Sequence, residues 1–248
     1  MQTFSPRKEV LPLAQQQLWP KLHPTADLGL VLYGGTAIAL RVGHRQSVDF
    51  DFFTDKPLDK PLLRQEMPFL NDCIVLQDQV DTLTVQTSSG HLTDSPVKIS
   101  FFGSLHFGRV GEPEITDDGV VQIASLPDLL ATKLKVIFQR VEAKDYQDIA
   151  TILRAGAPLE SGLAAARQMF GNAFQPAECL RALVYFKGGD LETLDQTDRQ
   201  MLVESAARVK ELPDSPIVSK ELSLPAYPTK ITEPEHDLDH DPWDEFGR

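Results

Sequence analysis

Residues 28–55 read LGLVLYGGTAIALRVGHRQSVDFDFFTD, and this stretch decides the fold of the chain. Its start, at 28–33, is apolar and rich in β-formers, which predicts a strand. Gly34-Gly35 then turns the chain with no Cβ to obstruct a ligand. Residues 36–42 are mainly good helix formers, and the hydroxyl of Thr36 can help to satisfy the free amides at the start of that short helix.

A second strand, predicted at 47–53, alternates in polarity. Successive side chains of a strand point to opposite faces. One face carries Ser47, Asp49, Asp51 and Phe53, and the other, which must pack on a core, carries Val48, Phe50 and Phe52. The two carboxylates then stand roughly 6–7 Å apart at the backbone. Like charges held so close are costly unless a cation sits between them.

Magnesium suits this carboxylate pair, because Mg²⁺ is usually held by one or two carboxylates together with phosphate oxygens and water. The glycine turn supplies backbone amides at a helix N-terminus, which favours phosphate. Amides for phosphate and carboxylates for a metal together predict a nucleotide site. On their spacing alone, a solvated strand edge explains the carboxylates equally well.

The order of these motifs resembles a known signature. Gly34-Gly35 followed by Asp49-x-Asp51 is similar to the nucleotidyltransferase superfamily pattern of a Gly-Gly or Gly-Ser turn followed by Asp-x-Asp. The fuller string at 34–53, GGTAIALRVGHRQSVDFDFF, resembles the AbiEii/AbiGii toxin family. The resemblance implies an enzyme that transfers a nucleotidyl group from an NTP to an acceptor, with RNA or tRNA expected as that acceptor. It also implies a toxin-like component of a toxin–antitoxin or phage-defence pair, with an antitoxin protein as partner.

A second informative block, at 128–153, reads DLLATKLKVIFQRVEAKDYQDIATIL and predicts two helices. Helical spacing puts an apolar stripe on the first helix, formed by Leu126, Leu130, Leu134, Ile137 and Val141. Lys133 falls within this stripe and Arg140 lies near it. On the second helix, Asp145 falls on the inner face and Asp148 at its edge. An inward carboxylate costs several kcal/mol unless it is paired.

These inward charges have three interpretations. Lys133 can snorkel to solvent, or Lys133 or Arg140 can form a buried bridge to Asp145. The third is that the two helices present Lys133 and Asp145 to the Asp49/Asp51 site. The block resembles the active-site block of the same family, in which a Lys is followed by Arg/Lys-Asp and by a second Asp three residues later. Lys133, Lys144-Asp145 and Asp148 occupy those positions.

The resemblance implies roles for these residues. Asp49 and Asp51 are expected to bind Mg²⁺, Lys133 to hold the triphosphate, and Asp145 to orient or deprotonate the acceptor hydroxyl. The expected nucleotide-binding residues are Gly34, Gly35, Thr36, Ser47, Arg140 and Asp148.

One departure from the pattern concerns the third acidic residue that nucleotidyltransferases commonly carry on a later strand. The candidate strand is 97–102, VKISFF, and Ser100 stands where that carboxylate is expected. A serine cannot supply the same charge. The alternative function is therefore a nucleotidyltransferase-shaped binding module whose catalysis has lapsed, acting in a protein or RNA complex.

The remaining segments predict an α+β fold, because helices are separated from a run of strands. Residues 1–124 are expected to form a nucleotidyltransferase-type mixed β-sheet flanked by helices. Residues 125–212 form a helical region that completes the active site, and 213–248 a Pro-rich, extended acidic tail. Trp243 and Phe246 near its end could anchor on a surface. The other predicted helices are 5–22, with Pro12 as a possible kink, 58–70, 160–170, 176–186 and 197–211, and the other strands are 73–77 and 82–87.

Composition limits the functional classes. The 248 residues carry a net charge of −12, which argues against a generally basic nucleic-acid-binding surface. The tail at 213–248 holds half of that charge, so a local basic patch remains possible in the rest. Cys73 and Cys179 are too few for a disulfide framework or a structural zinc site. An apolar signal core and a membrane-length apolar run are both missing, so we expect a cytoplasmic protein.

Overall fold

A mixed β-sheet forms the centre of the protein in the computed structural model, which describes residues 3–88 and 95–224. Within these residues the sheet has eight strands in the order β1-β7-β8-β2-β3-β6-β5-β4. The strands are β1 (Thr3–Phe4), β2 (Val31–Tyr33), β3 (Asp49–Phe53), β4 (Ile74–Gln79), β5 (Thr82–Gln86), β6 (Lys98–Phe102), β7 (Glu114–Thr116) and β8 (Gln122–Ile123).

Helices flank this sheet and make up most of the chain after β8. They are α1 (Leu13–Leu18), α2 (Pro24–Asp27), α3 (Gly34–Val42), α4 (Lys60–Glu66), α5 (Leu126–Val136), α6 (Ala143–Arg154), α7 (Leu159–Phe170), α8 (Pro176–Leu183) and α9 (Gln196–Arg208). The predicted α+β fold, a mixed sheet with flanking helices followed by a helical region, is confirmed. Among the described residues, no helix is long and apolar enough to cross a lipid bilayer.

Strand β3 lies at the middle of the sheet and shows the predicted alternation. It pairs antiparallel with β2 and parallel with β6, so Asp49 lies opposite Lys98 and Asp51 opposite Ser100. Phe50 and Phe52 are fully buried on the other face. The hydrophobic face therefore fixes the register, and the register sends both carboxylates to the same side.

Val48 does not join the buried face as predicted. It precedes the first residue of β3 and is 61% exposed, because the alternation applies only where the backbone is extended and paired.

Helix α3 begins at the glycine turn itself, two residues earlier than predicted. Gly34 is its first residue and has a φ of +74°, a conformation that glycine adopts without steric cost. The predicted role of Thr36 in satisfying the helix amides is wrong. Thr36 is buried, and its hydroxyl donates to the backbone carbonyl of Asp49, because β3 runs directly beside the start of the helix.

Proline residues explain why one predicted helix is divided and another is shorter than expected. The helix expected at 5–22 is divided into a 3-10 turn (Lys8–Val10), α1 and a second 3-10 turn (Trp19–Leu22), and Pro12 precedes α1 in an extended conformation. The helix expected at 58–70 is α4 alone, capped by the carboxylate of Asp59 and followed by the 3-10 turn Pro68–Asp72. A proline removes the amide that an α-helical hydrogen bond would need.

The apolar stripe predicted on the first helix of the second block is also shorter than expected. Helix α5 ends at Val136, and Val141, which lies beyond it, is 43% exposed. Leu130 and Leu134, which lie inside the helix, are buried as predicted.

The described part of the predicted tail, residues 213–224, packs on the sheet domain without forming a helix. Arg109 and Ser219 form an isolated β-bridge, and the Arg109 Nε donates to the carbonyl of Glu221 at 2.9 Å. Leu222 is fully buried, and its backbone N–H donates to the Asp55 carboxylate at 2.9 Å. This segment therefore fastens the loop that precedes β7. Trp243 and Phe246 lie outside the described residues.

Candidate active site

A strongly charged cavity of about 430 Å³ lies over the polar face of β3 and β6. Its walls include the carboxylates of Asp49 and Asp51. Its basic side chains are Arg45, Lys98, Lys133, Arg140 and Lys144. We call this space the cationic cavity. The basic residues outnumber the carboxylates, although the whole chain carries a net charge of −12. The local basic patch that composition left possible is therefore present, and it lies at the Asp-x-Asp motif.

The two glycines bring the backbone close to the charged side chains. A Cβ on Gly34 would lie 2.7 Å from Oδ2 of Asp51, and a Cβ on Gly35 would collide with the guanidinium of Arg45. The side chain of Tyr33, the N-cap residue of α3, accepts no hydrogen bond from the first amides of this helix. These amides remain at the end of a helix whose dipole favours anions.

The two carboxylates have different surroundings. Asp49 pairs with Lys98 at 2.8 Å, and the side chains of both are more than a third exposed. Burial raises the pKa of Asp51, and the charge of Asp49 raises it further, whereas Lys98 and a hydrogen bond from Ser100 act in the opposite direction. Ser100 is thus a hydrogen-bond partner of Asp51 in the place where a third carboxylate was expected.

The donor set fits a magnesium ion that is shared with a phosphate ligand. The described residues contain no group of three or more His, Cys, Asp or Glu side chains arranged to hold a metal. Two carboxylates on adjacent outward positions of β3 are nevertheless enough for Mg²⁺, which keeps several waters and takes phosphate oxygens as further ligands. The chain therefore offers a partial site that a bound polyphosphate would complete.

Lys133 lies between two buried carboxylates and borders the cavity at the same time. Its Nζ is 2.7 Å from Oδ1 of Asp145 and 2.7 Å from Oδ2 of Asp148. The residue is 5% exposed, so the snorkelling interpretation is wrong. The bridge to Asp145 is present, and Arg140 joins it with its Nε 2.8 Å from Oδ2 of Asp145.

Asp148 organises a second set of contacts behind the cavity. The Nε and Nη2 of Arg45 donate to its two oxygens at 2.7 and 2.9 Å, and the Nε2 of His44 lies 2.7 Å from Oδ1. The fork of Arg45 is thereby fixed against Gly35, with N–H groups to spare, because a guanidinium carries five donors. Asp148 thus positions both Arg45 and Lys133.

The two α6 carboxylates remain ionised despite their burial. Burial alone would raise the pKa of Asp145, but the hydrogen bond from Arg140 and the charge of Lys133 outweigh it and lower this pKa. Burial likewise opposes ionisation of Asp148, but hydrogen bonds from His44 and Arg45 hold its pKa well below the usual range. Both groups are fully buried and charged, so they anchor the cations around them.

The sequence-predicted residues divide into two sets. The residues that line the cationic cavity are Gly35, Ser47, Asp49, Asp51, Lys133 and Arg140. Gly34 lines an adjoining cavity. Thr36, Asp145 and Asp148 lie behind the walls. Both oxygens of Asp145 accept hydrogen bonds from Lys133 and Arg140, so its position does not favour the expected role as a base for the acceptor hydroxyl.

Sequence reasoning missed several residues of this site. Arg45 and His44 lie in the turn between α3 and β3, inside the quoted motif, and Lys98 lies two residues before Ser100 on the same face of β6. Thr84 faces Ser100 from β5 and also lines the cavity. The period-two alternation of β6 identifies Lys98, because Lys98 and Ser100 are two residues apart and share one face of the strand.

The sequence of the chain is similar to those of known proteins. The sequence model of the family described as "Nucleotidyl transferase AbiEii toxin, Type IV TA system" matches residues 21–221. An uncharacterized protein from Aquifex aeolicus is 34% identical over 139 residues, which cover 54% of this chain and 64% of that protein. The matched region therefore spans less than two thirds of that relative.

The fold is similar to that of MenT4, a nucleotidyltransferase toxin from Mycobacterium tuberculosis. The TM-score is 0.54 at 13% sequence identity, over 79% of this chain and 82% of that one. At this identity the likeness concerns the fold alone.

Proposed function

The chain belongs to the AbiEii family of nucleotidyl transferase toxins of type IV toxin–antitoxin systems, and from this we propose that its cationic cavity transfers a nucleotidyl group from an NTP to an acceptor. The observation that carries the proposal is the meeting of the Asp49/Asp51 pair, the uncapped amides of α3 and the basic side chains in one cavity. Each of these features matches one part of a metal-bound triphosphate.

We assign the triphosphate to the basic side of the cavity. The backbone amides at the start of α3 favour an anion. Lys133 is held in the same cavity by Asp145, and Arg45 by Asp148. Charge-assisted hydrogen bonds from such fixed donors are the strong ones. Because each cation is already oriented by a buried carboxylate, little side-chain entropy is lost when phosphate binds. Asp145 is therefore proposed as a positioning residue rather than as the base.

We assign the reacting phosphorus to the region of Asp49 and Asp51. Mg²⁺ held by these carboxylates would neutralise charge on the phosphorus during in-line attack. In the structure Lys98 pairs with Asp49. The Lys98 side chain is 41% exposed, so it has room to turn toward a phosphate oxygen. The acceptor oxygen forms the new P–O bond as pyrophosphate departs. Because Asp49 and Asp51 are assigned to the metal ion, we propose that the proton of the acceptor hydroxyl leaves to water.

Ser100 is compatible with this reaction. Transfer at phosphorus depends mainly on positioning and on electrostatic stabilisation, with little covalent work for the protein. A missing third carboxylate therefore removes a base but leaves the positioning groups in place. We further propose RNA as the acceptor, since the cavity-lining side chains of Lys98, Arg140 and Lys144 are 41%, 45% and 51% exposed and are suited to a second polyanion. Family membership supports an antitoxin protein as partner.

The test is a label-transfer assay with labelled NTPs, Mg²⁺ and total RNA. We expect transfer by the wild type, none by Asp49→Ala, and wild-type transfer by the control Asp27→Ala, whose carboxylate is exposed and outside the cavity. Absence of transfer by the wild type, or equal transfer by Asp49→Ala, would refute the proposal.

The alternative is a binding module of the same shape whose catalysis has lapsed, and Ser100 is the observation that favours it. Calorimetric titration with NTP distinguishes the two. A lapsed module should show little Mg²⁺-dependent affinity for NTP. Micromolar binding that Asp51→Ala abolishes would count against it.

A further inference from the structure

A second cavity, of about 360 Å³, adjoins the cationic cavity. The two spaces share a boundary formed by Gly35, Asp51, Phe102, Lys133 and Arg140. Beyond that boundary the second cavity has a different character, because its other walls include Tyr33, Phe53, Phe107 and Phe170. We call it the aromatic cavity.

The rings of the aromatic cavity support one another. Tyr33 and Phe53 are stacked with their centroids 4.7 Å apart. Phe107 meets Tyr33 edge-on at 6.2 Å and lies 5.4 Å from Phe170. These separations are those of favourable aromatic pairs. The wall is therefore preorganised rather than a loose collection of side chains.

Core packing accounts for these rings only in part: Tyr33 belongs to the buried core, and Phe53, Phe107 and Phe170 pack against it. Phe53, Phe102, Phe107 and Phe170 are each only half-buried, whereas Phe50, Phe52 and Phe101 on the opposite face of the sheet are fully buried. The half-buried rings also line the aromatic cavity, so each leaves part of its surface open to a ligand there. Aromatic surface left beside a phosphate-type site is suited to a flat, apolar ligand group with polar edges.

We propose that the aromatic cavity binds a nucleobase while the phosphate attached to its sugar lies in the cationic cavity. This proposal rests on the proposed function, since it takes the cationic cavity to hold phosphate. The shared boundary at Gly35 and Asp51 is where the sugar would pass from one space to the other. Gln139 and Thr132 line the aromatic cavity, and a carboxamide can both donate to and accept from a base edge.

Two sources can supply such a base: the NTP itself, or the terminal nucleotide of an RNA acceptor. Both present a base, a ribose and a phosphate, so the cavity chemistry is the same. Binding measurements with three probes separate the two sources: inorganic tripolyphosphate, an NTP and a short single-stranded RNA, each with Mg²⁺.

Phe107→Leu is the informative variant, because it keeps an apolar side chain of similar length but removes the π face. Loss of one stacking partner should weaken base-dependent binding about 10- to 100-fold. Phe107→Tyr keeps the ring and should bind as the wild type does, even if Phe107→Leu is less stable. Phe138→Leu is the matched control, because Phe138 packs on Phe174 and lines neither cavity.

In the wild type we expect tripolyphosphate to bind more weakly than at least one of the two base-containing probes. A loss of NTP binding by Phe107→Leu, with tripolyphosphate unchanged, assigns the cavity to the NTP base. A loss confined to the RNA assigns it to the acceptor. The proposal is overturned if Phe107→Leu binds all three probes as the wild type does, or if Phe138→Leu reproduces its effect. Failure of the wild type to bind any probe would instead refute the proposed function on which it rests.

Discussion

Replacing Lys133 with methionine tests the bridge and the phosphate site in one variant. The ammonium group contacts Asp145 and Asp148 at 2.7 Å each, and it lines the cationic cavity. Methionine keeps much of the apolar stem and removes the charge. The change therefore alters electrostatics with little change in packing volume.

The expected stability loss follows from what each carboxylate retains. Stranding a buried charge costs about 3–5 kcal/mol. Neither carboxylate is stranded here, because Arg140 still donates to Asp145 and Arg45 still donates to Asp148. The loss is two charge-assisted hydrogen bonds of about 1.5–3 kcal/mol each, partly offset by the removal of the buried lysine's own desolvation cost. We expect the free energy of unfolding to fall by about 2–4 kcal/mol.

The measurements are urea unfolding followed by circular dichroism and calorimetric titration with NTP and Mg²⁺. Binding should weaken by about 2–4 kcal/mol, the range for a charge-assisted contact in a sheltered site. Lys8→Met is the matched control, because Lys8 also pairs with a carboxylate, Asp118 at 2.9 Å, but its side chain is 46% exposed and lines neither cavity. We expect it to change the free energy of unfolding by less than about 1 kcal/mol. Unchanged stability in Lys133→Met would refute the bridge, and unchanged NTP affinity would refute its role at phosphate.

Three further predictions concern the site. Gly34→Ala and Gly119→Ala should each lower the free energy of unfolding by about 1–2 kcal/mol, because both positions have a positive φ. Only Gly34→Ala should lose NTP binding in a titration, since its Cβ would meet Asp51. Ser100→Ala removes a hydrogen bond that lowers the pKa of Asp51, so in the metal-free protein the pKa of Asp51, followed by NMR titration of its carboxylate, should rise; an unchanged pKa would contradict this. The pKa of Asp148 is lower in the folded protein than the value of about 3.9 in the unfolded chain, so its ionised form stabilises the fold above that pH. The free energy of unfolding, measured in urea, should therefore fall as the pH drops below that value. Asp148→Asn should flatten this dependence of stability on pH.

The sequence predicted those parts of the site that follow from local periodicity. The alternation of β3 was enough to place Asp49 and Asp51 together, because burial of Phe50 and Phe52 leaves the backbone no other register. The helical spacing of α5 and α6 likewise indicated that Lys133 and Asp145 turn inward. In each case the property that decides the outcome lies within a few residues of the chain.

The missed parts depend on contacts between distant segments. Arg45 reaches the cavity only because Asp148, on α6, holds it there. Asp145 has the sequence position of an active-site acid, but Arg140 and Lys133 occupy both of its oxygens. Phe107 comes from a loop whose course is fixed by a much later segment. Such pairings are not encoded in the spacing of residues along one element.

The contact between Arg109 and the carbonyl of Glu221 spans 112 residues of sequence. Synthesis at about 5–20 residues per second separates the two by roughly 6–22 s. Throughout that interval the loop carrying Phe107 lacks the segment that fastens it, so one wall of the aromatic cavity is unfinished although the Asp-x-Asp strand β3 and its neighbour β6 are already synthesised. A nascent chain thus acquires its carboxylates early and its complete cavity late, and only a chain translated past Glu221 can assemble the whole site.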